Sequence, residues 1–526
     1  MDLTKVGIGS MNKPDTTCHD GKPVKDETYY YLWHLVSLGV ITPDTTNTGF
    51  ADTLWDRLAT KGDVTPATVV MIDVGCSPDH PNLKGRVDTG RSLDFTISPY
   101  GSRLGTGRAP QNFADLKVDD LHLDGLQPDE VAMFEEVVQH LTDSTGDLRP
   151  HGDAEAKFAS HGTAVSGLIV GGPEDCAGRG KEPSTGVIPY FGVDPFSNLI
   201  SLRTGFDNDP LQFIAALLYA WHQSPDVIVM PRGLPDPEAS QIAPKNDHKA
   251  ELQSWANREA ADLLHRIEVL TAKASPHDPT APQVSETGRR LWRVVRALFI
   301  AISKHIPIVC ASGNEGESQL LFPANLADRE NGIIAVGAVS GQGYRSGYAN
   351  YGDGLTLVAP SDDMEVFNRH QLRDTPKRLD KVSYLKPDTA MAVPYSKKAL
   401  LSTDIAGQFG YDGMDAGDMD LPEGTAQSGF YTQFGGTSGA TALVGGVIAL
   451  VRRAERLSKS GKPPRDGLDL KALLMDTARR DMPMIGTRLP LRADRMNGAN
   501  EDADAFRTFF GAGLIDANAA VTVALS

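Results

Sequence analysis

The run Phe434-Gly435-Gly436-Thr437-Ser438-Gly439-Ala440-Thr441 constrains this chain more than any other stretch. Two glycines before Ser438 permit a tight backbone turn that residues with a Cβ enter only at a cost. Small residues follow, and Ala440 through Arg456 reads as an apolar helix buried at the centre of a domain. Such a turn places a hydroxyl at a helix start, where free N–H groups favour negative charge. A serine becomes a nucleophile only in a setting of that kind, with a base at hand. The same string also fits an ordinary helix cap, so the remainder of the chain has to decide.

Three upstream motifs bear on it. Thr68-Val69-Val70-Met71-Ile72 has the β-branched, apolar character of a buried parallel strand, and Asp73 stands at its end. Open α/β sheets keep their sites at that edge. His161 opens a second small-residue helix, His161-Gly162-Thr163-Ala164-Val165. Ile308-Val309-Cys310-Ala311 is another buried strand, ending in the polar turn Ser312-Gly313-Asn314-Glu315. Strands and helices alternate through the core, which predicts an α/β fold of three layers, a parallel sheet with helices on both faces.

Asp, then His, then Ser is one of the known chain orders of the hydrolase triad. With these residues in place the chain resembles the subtilisin-like serine peptidases, the subtilases, over about residues 66–526. The intervening blocks Gly192-Val193-Asp194-Pro195, Leu199-Ile200-Ser201-Leu202-Arg203, Ser346 through Gly352, Val358-Ala359-Pro360 and Gly511 through Ala517 are also similar. The resemblance implies a serine endopeptidase working through an acyl-enzyme. Ser438 would be the nucleophile, His161 the general base, Asp73 its orienting carboxylate and Asn314 the oxyanion donor. It further implies substrate contacts at Arg232, Gly233, Ser312, Gly313 and Glu315, with no metal in the site. An acidic Glu315 at the rim of the pocket suggests attraction to a basic substrate residue.

Departures from the family pattern qualify this. Val74 replaces a Ser or Thr after the Asp, removing a hydroxyl near the carboxylate. Ala442 replaces a proline. The substrate edge Ser-Leu-Gly becomes Pro231-Arg232-Gly233, and Pro231 has no N–H to donate. His151 mimics the start of the His motif but lacks the small apolar helix after it, and His80 lies in a turn that reads as structural. Val74 and Pro231 keep an inactive interaction scaffold open as an alternative. A protease gated by a partner or ligand, dedicated to one protein substrate, is another.

The catalytic motifs are widely spaced, and the extra sequence falls at about 96–158, 235–290 and 361–432. The first addition is acidic, with an amphipathic helix from Asp129 to Leu141 that reads as a solvated face or a guard over the cleft. The second reads as helices around a Pro-rich loop that pack on their own domain or offer a site for a regulatory protein partner. The third turns from basic to acidic, and its stretch from Asp412 to Glu423 could hold calcium, although no cofactor is required. Residues 1–65 read as an extension packing on the core, with a helix over Tyr29–Leu35 and no alternating strand pattern. They show no basic-then-apolar signal, which predicts a cytoplasmic protein without a folding propeptide. No apolar run reaches membrane-spanning length. A net charge of −17 disfavours unspecific binding to nucleic acid. Four cysteines without a C-x-x-C pair give no support for zinc and read as free thiols in a chain of this length.

Overall fold

A computed structural model describes residues 31–44, 50–62, 65–96, 113, 115–143, 159–174, 187–205, 209–234, 236, 284–362, 399–405, 410–411, 429–461, 463–493 and 503–526, with short strand segments at 13–14, 18–19, 22–23, 28–29 and 102–103. The helix anticipated around Leu252–Leu270, the basic and acidic runs of the third addition and His151 lie outside these residues.

The sheet strands are β1 (Thr68–Asp73), β2 (Leu93–Asp94), β3 (Ser102–Arg103), β4 (Asn198–Arg203), β5 (Val227–Met230), β6 (Ile308–Ala311), β7 (Ile333–Val339) and β8 (Leu355–Pro360). Their order across the sheet is β8-β7-β6-β5-β1-β4-β2-β3. Seven strands run parallel, and β3 pairs antiparallel at the edge. The central strands are buried along nearly their whole length, which is why they read as unbroken apolar runs rather than alternating ones.

The helices are α1 (Trp33–Ser37), α2 (Leu54–Ala59), α3 (Pro128–Asp143), α4 (Ser160–Val170), α5 (Pro210–Gln223), α6 (Val284–His305), α7 (Gly436–Leu457), α8 (Gly467–Thr477), α9 (Ala503–Phe510) and α10 (Ala517–Leu525). The chain steps one way across the sheet from β1 through α4 to β4, then reverses through α5 to β5 and α6 to β6. Right-handed crossovers therefore put α4 on one face and α5 with α6 on the other. α7 joins α4 and α10 on the first face. α7 is buried from Gly436 to Ala454, as its apolar sequence requires. Among the described residues, no helix is long and apolar enough to cross a membrane.

The described part of the extension is built into this body. The Tyr31 hydroxyl donates to Pro189 O at 2.7 Å and the Trp55 indole N–H to Val193 O at 2.9 Å. Its helix α1 begins at Trp33, later than the sequence suggests, and Ile41–Pro43 pairs antiparallel with Phe50–Thr53. Strands of three and four residues are too short to show a period of two. The acidic helix α3 is not a bare solvated face. It lies against α6, where Arg293 donates to Glu130 at 2.8 Å and Arg290 pairs with Asp129, and none of its residues lines the cleft described next.

Candidate active site

Five chain segments meet at the carboxyl edge of the sheet, beside the point where the strand order reverses. They are the end of β1, the start of α4, the segments leaving β5 and β6, and the start of α7. The last four of these form a cleft of about 330 Å³ whose lining includes His161, Arg232, Asn314, Glu315, Leu321 and Ser438.

Asp73 ends β1 and is 1 % exposed. Its Oδ2 lies 2.7 Å from His161 Nδ1, the geometry of an imidazole N–H donated to a carboxylate oxygen. Oδ1 accepts the N–H of Val74 at 2.8 Å. The backbone of Val74 thus supplies the second partner for the carboxylate although its side chain has no hydroxyl. Gly162 allows the approach of α4 to β1, because a Cβ there would stand 1.9 Å from Gly75 O. The two segments are tied by the Ser77 N–H, which donates to Thr163 Oγ1 at 2.9 Å. The Phe434 ring meets the imidazole edge-on at 5.4 Å.

Ser438 lies in the first turn of α7 and is buried. Its hydroxyl donates to Pro231 O at 2.8 Å, and no hydrogen bond joins it to His161 among the described residues. The turn before it is clamped. Gly436 has φ +73°, a conformation that glycine adopts freely. Its N–H is shared between Asp362 Oδ1 at 2.9 Å and the Tyr348 hydroxyl at 3.0 Å. Its carbonyl accepts from Ser361 Oγ at 2.8 Å. Tyr348 in turn donates to Asp362, and burial raises its pKa well above the usual phenol value. Neither Asp362 nor Tyr348 was marked as a site residue by sequence. The link spans Tyr348, Asp362 and Gly436, and no local pattern announces it.

Asn314 holds its amide oxygen on the N–H and hydroxyl of Thr437, at 2.9 and 3.0 Å, which leaves Nδ2 as the donor end. Gly313 lines the cleft, its N–H bonded to Thr437 Oγ1 at 3.3 Å. The Glu315 carboxylate accepts from Asn314 N at 2.8 Å and Asn350 Nδ2 at 3.0 Å, so it braces its own loop. Gly233 lines the cleft beside Arg232. Arg232 donates to Gly205 O at 2.8 Å, with its guanidinium carbon 5.6 Å from the centre of the Phe213 ring. Ser312 is fully buried with its hydroxyl on Asn350 O at 3.1 Å, and it does not line the cleft. His80 is buried outside it, accepting the Asn82 N–H on Nδ1 and donating from Nε2 to Phe430 O at 2.8 Å. Cys76 and Cys310 are buried free thiols. No group of three or more metal-ligating side chains occurs among the described residues, and Asp412–Glu423 lies outside them.

A parallel α/β sheet that brings Asp, His and Ser in that chain order to its carboxyl edge defines the subtilisin-type class. The chain belongs to the Subtilase family, whose sequence profile matches residues 66–513. It is similar to subtilisin BL of Lederbergia lenta, 36 % identical over 70 residues that cover 13 % of this chain and 24 % of that one. It is also similar to an intracellular serine protease of Paenibacillus polymyxa, 21 % identical over 322 residues, 60 % of this chain and 61 % of the relative. The chain therefore spans less than two thirds of the length of these curated relatives. Among solved structures, it resembles a serine-to-alanine mutant of the epidermin leader peptide processing serine protease of Staphylococcus aureus, with TM-score 0.45, 15 % identity and coverage of 97 % of this chain and 85 % of that one. The serine protease of Aeromonas sobria gives TM-score 0.43 and 17 % identity, covering 87 % and 60 % of the two chains.

Proposed function

We propose that this chain hydrolyses peptide bonds of polypeptides through an acyl-enzyme formed on Ser438. In this reading the Ser438 hydroxyl leaves Pro231 O by one side-chain rotation and turns to His161 Nε2. His161 takes the proton as Oγ attacks the scissile carbonyl, then gives it to the leaving amine. Asp73, fixed by the Val74 N–H, holds the imidazole tautomer and stabilises the imidazolium. Asn314 Nδ2 and the Ser438 N–H face the oxyanion, at a helix start that favours negative charge. Water, activated by the same histidine, releases the acyl group. No cofactor takes part.

The observation that carries this reading is the 2.7 Å contact between His161 and the buried Asp73 in the cleft that also holds Ser438. Intact-mass spectrometry with a fluorophosphonate probe tests it. One adduct on the parent chain and none on Ser438→Ala is the expected result. Absence of any adduct on the parent chain in every condition sinks the reading and favours an inactive scaffold. A gated form of the same reading draws support from the Ser438–Pro231 bond, which holds the hydroxyl away from its base. Labelling that rises only when a protein partner is added would select it. A cytoplasmic place of work is part of the proposal, supported by the likeness to an intracellular relative, and cell fractionation checks it.

A further inference from the structure

We propose that Leu321 fills the slot meant for the substrate side chain just before the scissile bond, so that the site takes polypeptides with glycine, alanine or serine at that position. The inference rests on the peptidase reading above.

Two backbone walls stand beside Ser438, Pro231–Leu234 beyond β5 and Ala311–Glu315 beyond β6. Each presents a glycine, Gly233 on one and Gly313 on the other, and both border the cleft. At these two glycines the walls carry no side chain, and Leu321 lies between them. A Cβ built on Gly233 would stand 2.8 Å from Leu321 Cδ1, and one built on Gly313 would stand 2.7 Å from Leu321 Cγ. The isobutyl group is therefore in contact with both walls at once.

The backbone of Leu321 is fixed there. Its N–H donates to Ser312 O at 2.9 Å, and the next carbonyl, Phe322 O, accepts from Leu234 N at 2.8 Å. The segment cross-links the two walls. Leu320 and Phe322 are buried in the core at 3 % and 2 % exposure, whereas Leu321 between them is half-buried and faces the cleft. An isobutyl group between the walls takes the space that a long substrate side chain would need there, and such a side chain would have to displace it. In this proposal size decides, where the sequence reading of Glu315 suggests a basic preference.

The test uses the full chain and peptidyl diphenyl phosphonates that differ only in the residue before phosphorus: Ala, Leu, Phe or Lys. The rate of adduct formation is read by intact mass, with a small fluorophosphonate alongside. The parent chain is expected to react at least about tenfold faster with the Ala probe than with the Leu, Phe and Lys probes, the scale on which apolar pockets sort side chains by size. Leu321→Ala is expected to reverse the order in favour of Leu or Phe, and Leu321→Met to keep it. A parent chain that takes the fluorophosphonate but reacts with Phe or Lys as fast as with Ala overturns the slot inference and leaves the peptidase reading standing. A parent chain that takes no probe at all overturns both.

Discussion

The hydroxyl of Ser438 donates to the carbonyl of Pro231 at 2.8 Å, while His161 holds its own bond to Asp73. In the proposed mechanism the imidazole is thus oriented before the Ser438 hydroxyl turns to it. Removing the proposed nucleophile with Ser438→Ala should lower turnover by on the order of 10⁶, a magnitude measured in subtilisin and borrowed here. The fold should survive, because only one hydrogen bond to a carbonyl is lost. Active-site titration beside a melting curve checks both halves. An Ala variant with more than a hundredth of the parent's turnover would remove Ser438 from the chemistry.

Asn314 is held by its oxygen, which makes its donor end a fixed feature of the cleft. Asn314→Leu should cost about 10²–10³ in turnover, again by analogy with subtilisin, and leave KM nearly unchanged, since an oxyanion exists only in the transition state. Steady-state kinetics on one peptide separate the outcomes. A rise in KM with unchanged turnover would mark Asn314 as a contact to ground-state substrate instead.

Asp73, Asn314 and Ser438 were legible because each stands in a short polar or small-residue turn beside a buried apolar element, and His161 because it opens a helix of small residues. Such signals are local. Leu321 was not legible, since Leu320-Leu321-Phe322 is an apolar triplet and only the meeting of two distant walls decides that its middle member faces the cleft. The same holds for Asp129 and Glu130, which read as solvated charge until α6 brings Arg290 and Arg293 against them. Val74 shows the converse limit. The sequence reports a missing hydroxyl and cannot report that a backbone N–H supplies the carboxylate with a partner.

Asp362 and Tyr348 clamp the N–H of Gly436, two residues before Ser438. Both are buried and neither lines the cleft, so the role proposed for them is to position the turn. Asp362→Ala removes an acceptor from a buried N–H and from the buried Tyr348 hydroxyl, and should cost about 1–3 kcal/mol of stability. It should also slow fluorophosphonate labelling by about 10²-fold if the turn shifts by an ångström. Asp362→Asn keeps an oxygen acceptor and should restore much of the rate. Equal slowing in the Ala and Asn variants would argue against the clamp as the device that aims Ser438.

His34 and His80 are both buried, and burial lowers their pKa from 6.5 to about 3 and about 4 respectively. For His80 the bond to Phe430 O partly opposes the shift. For His34 neither ring nitrogen has a hydrogen-bond partner among the described residues. Well above pH 6.5 both histidines are neutral in the folded and the unfolded chain, and they contribute no pH dependence. Below it the unfolded chain takes up protons that the folded chain refuses, so stability falls as pH falls, down to the folded values. At about pH 5 this amounts to about 2 kcal/mol for each histidine. The apparent melting temperature should therefore drop between about pH 7 and pH 5, and His34→Leu should drop less over the same interval, because one of these two buried imidazoles is gone. Differential scanning calorimetry of both chains at the two pH values measures it. An unchanged slope in His34→Leu would mean that the acid sensitivity resides elsewhere than in this buried imidazole.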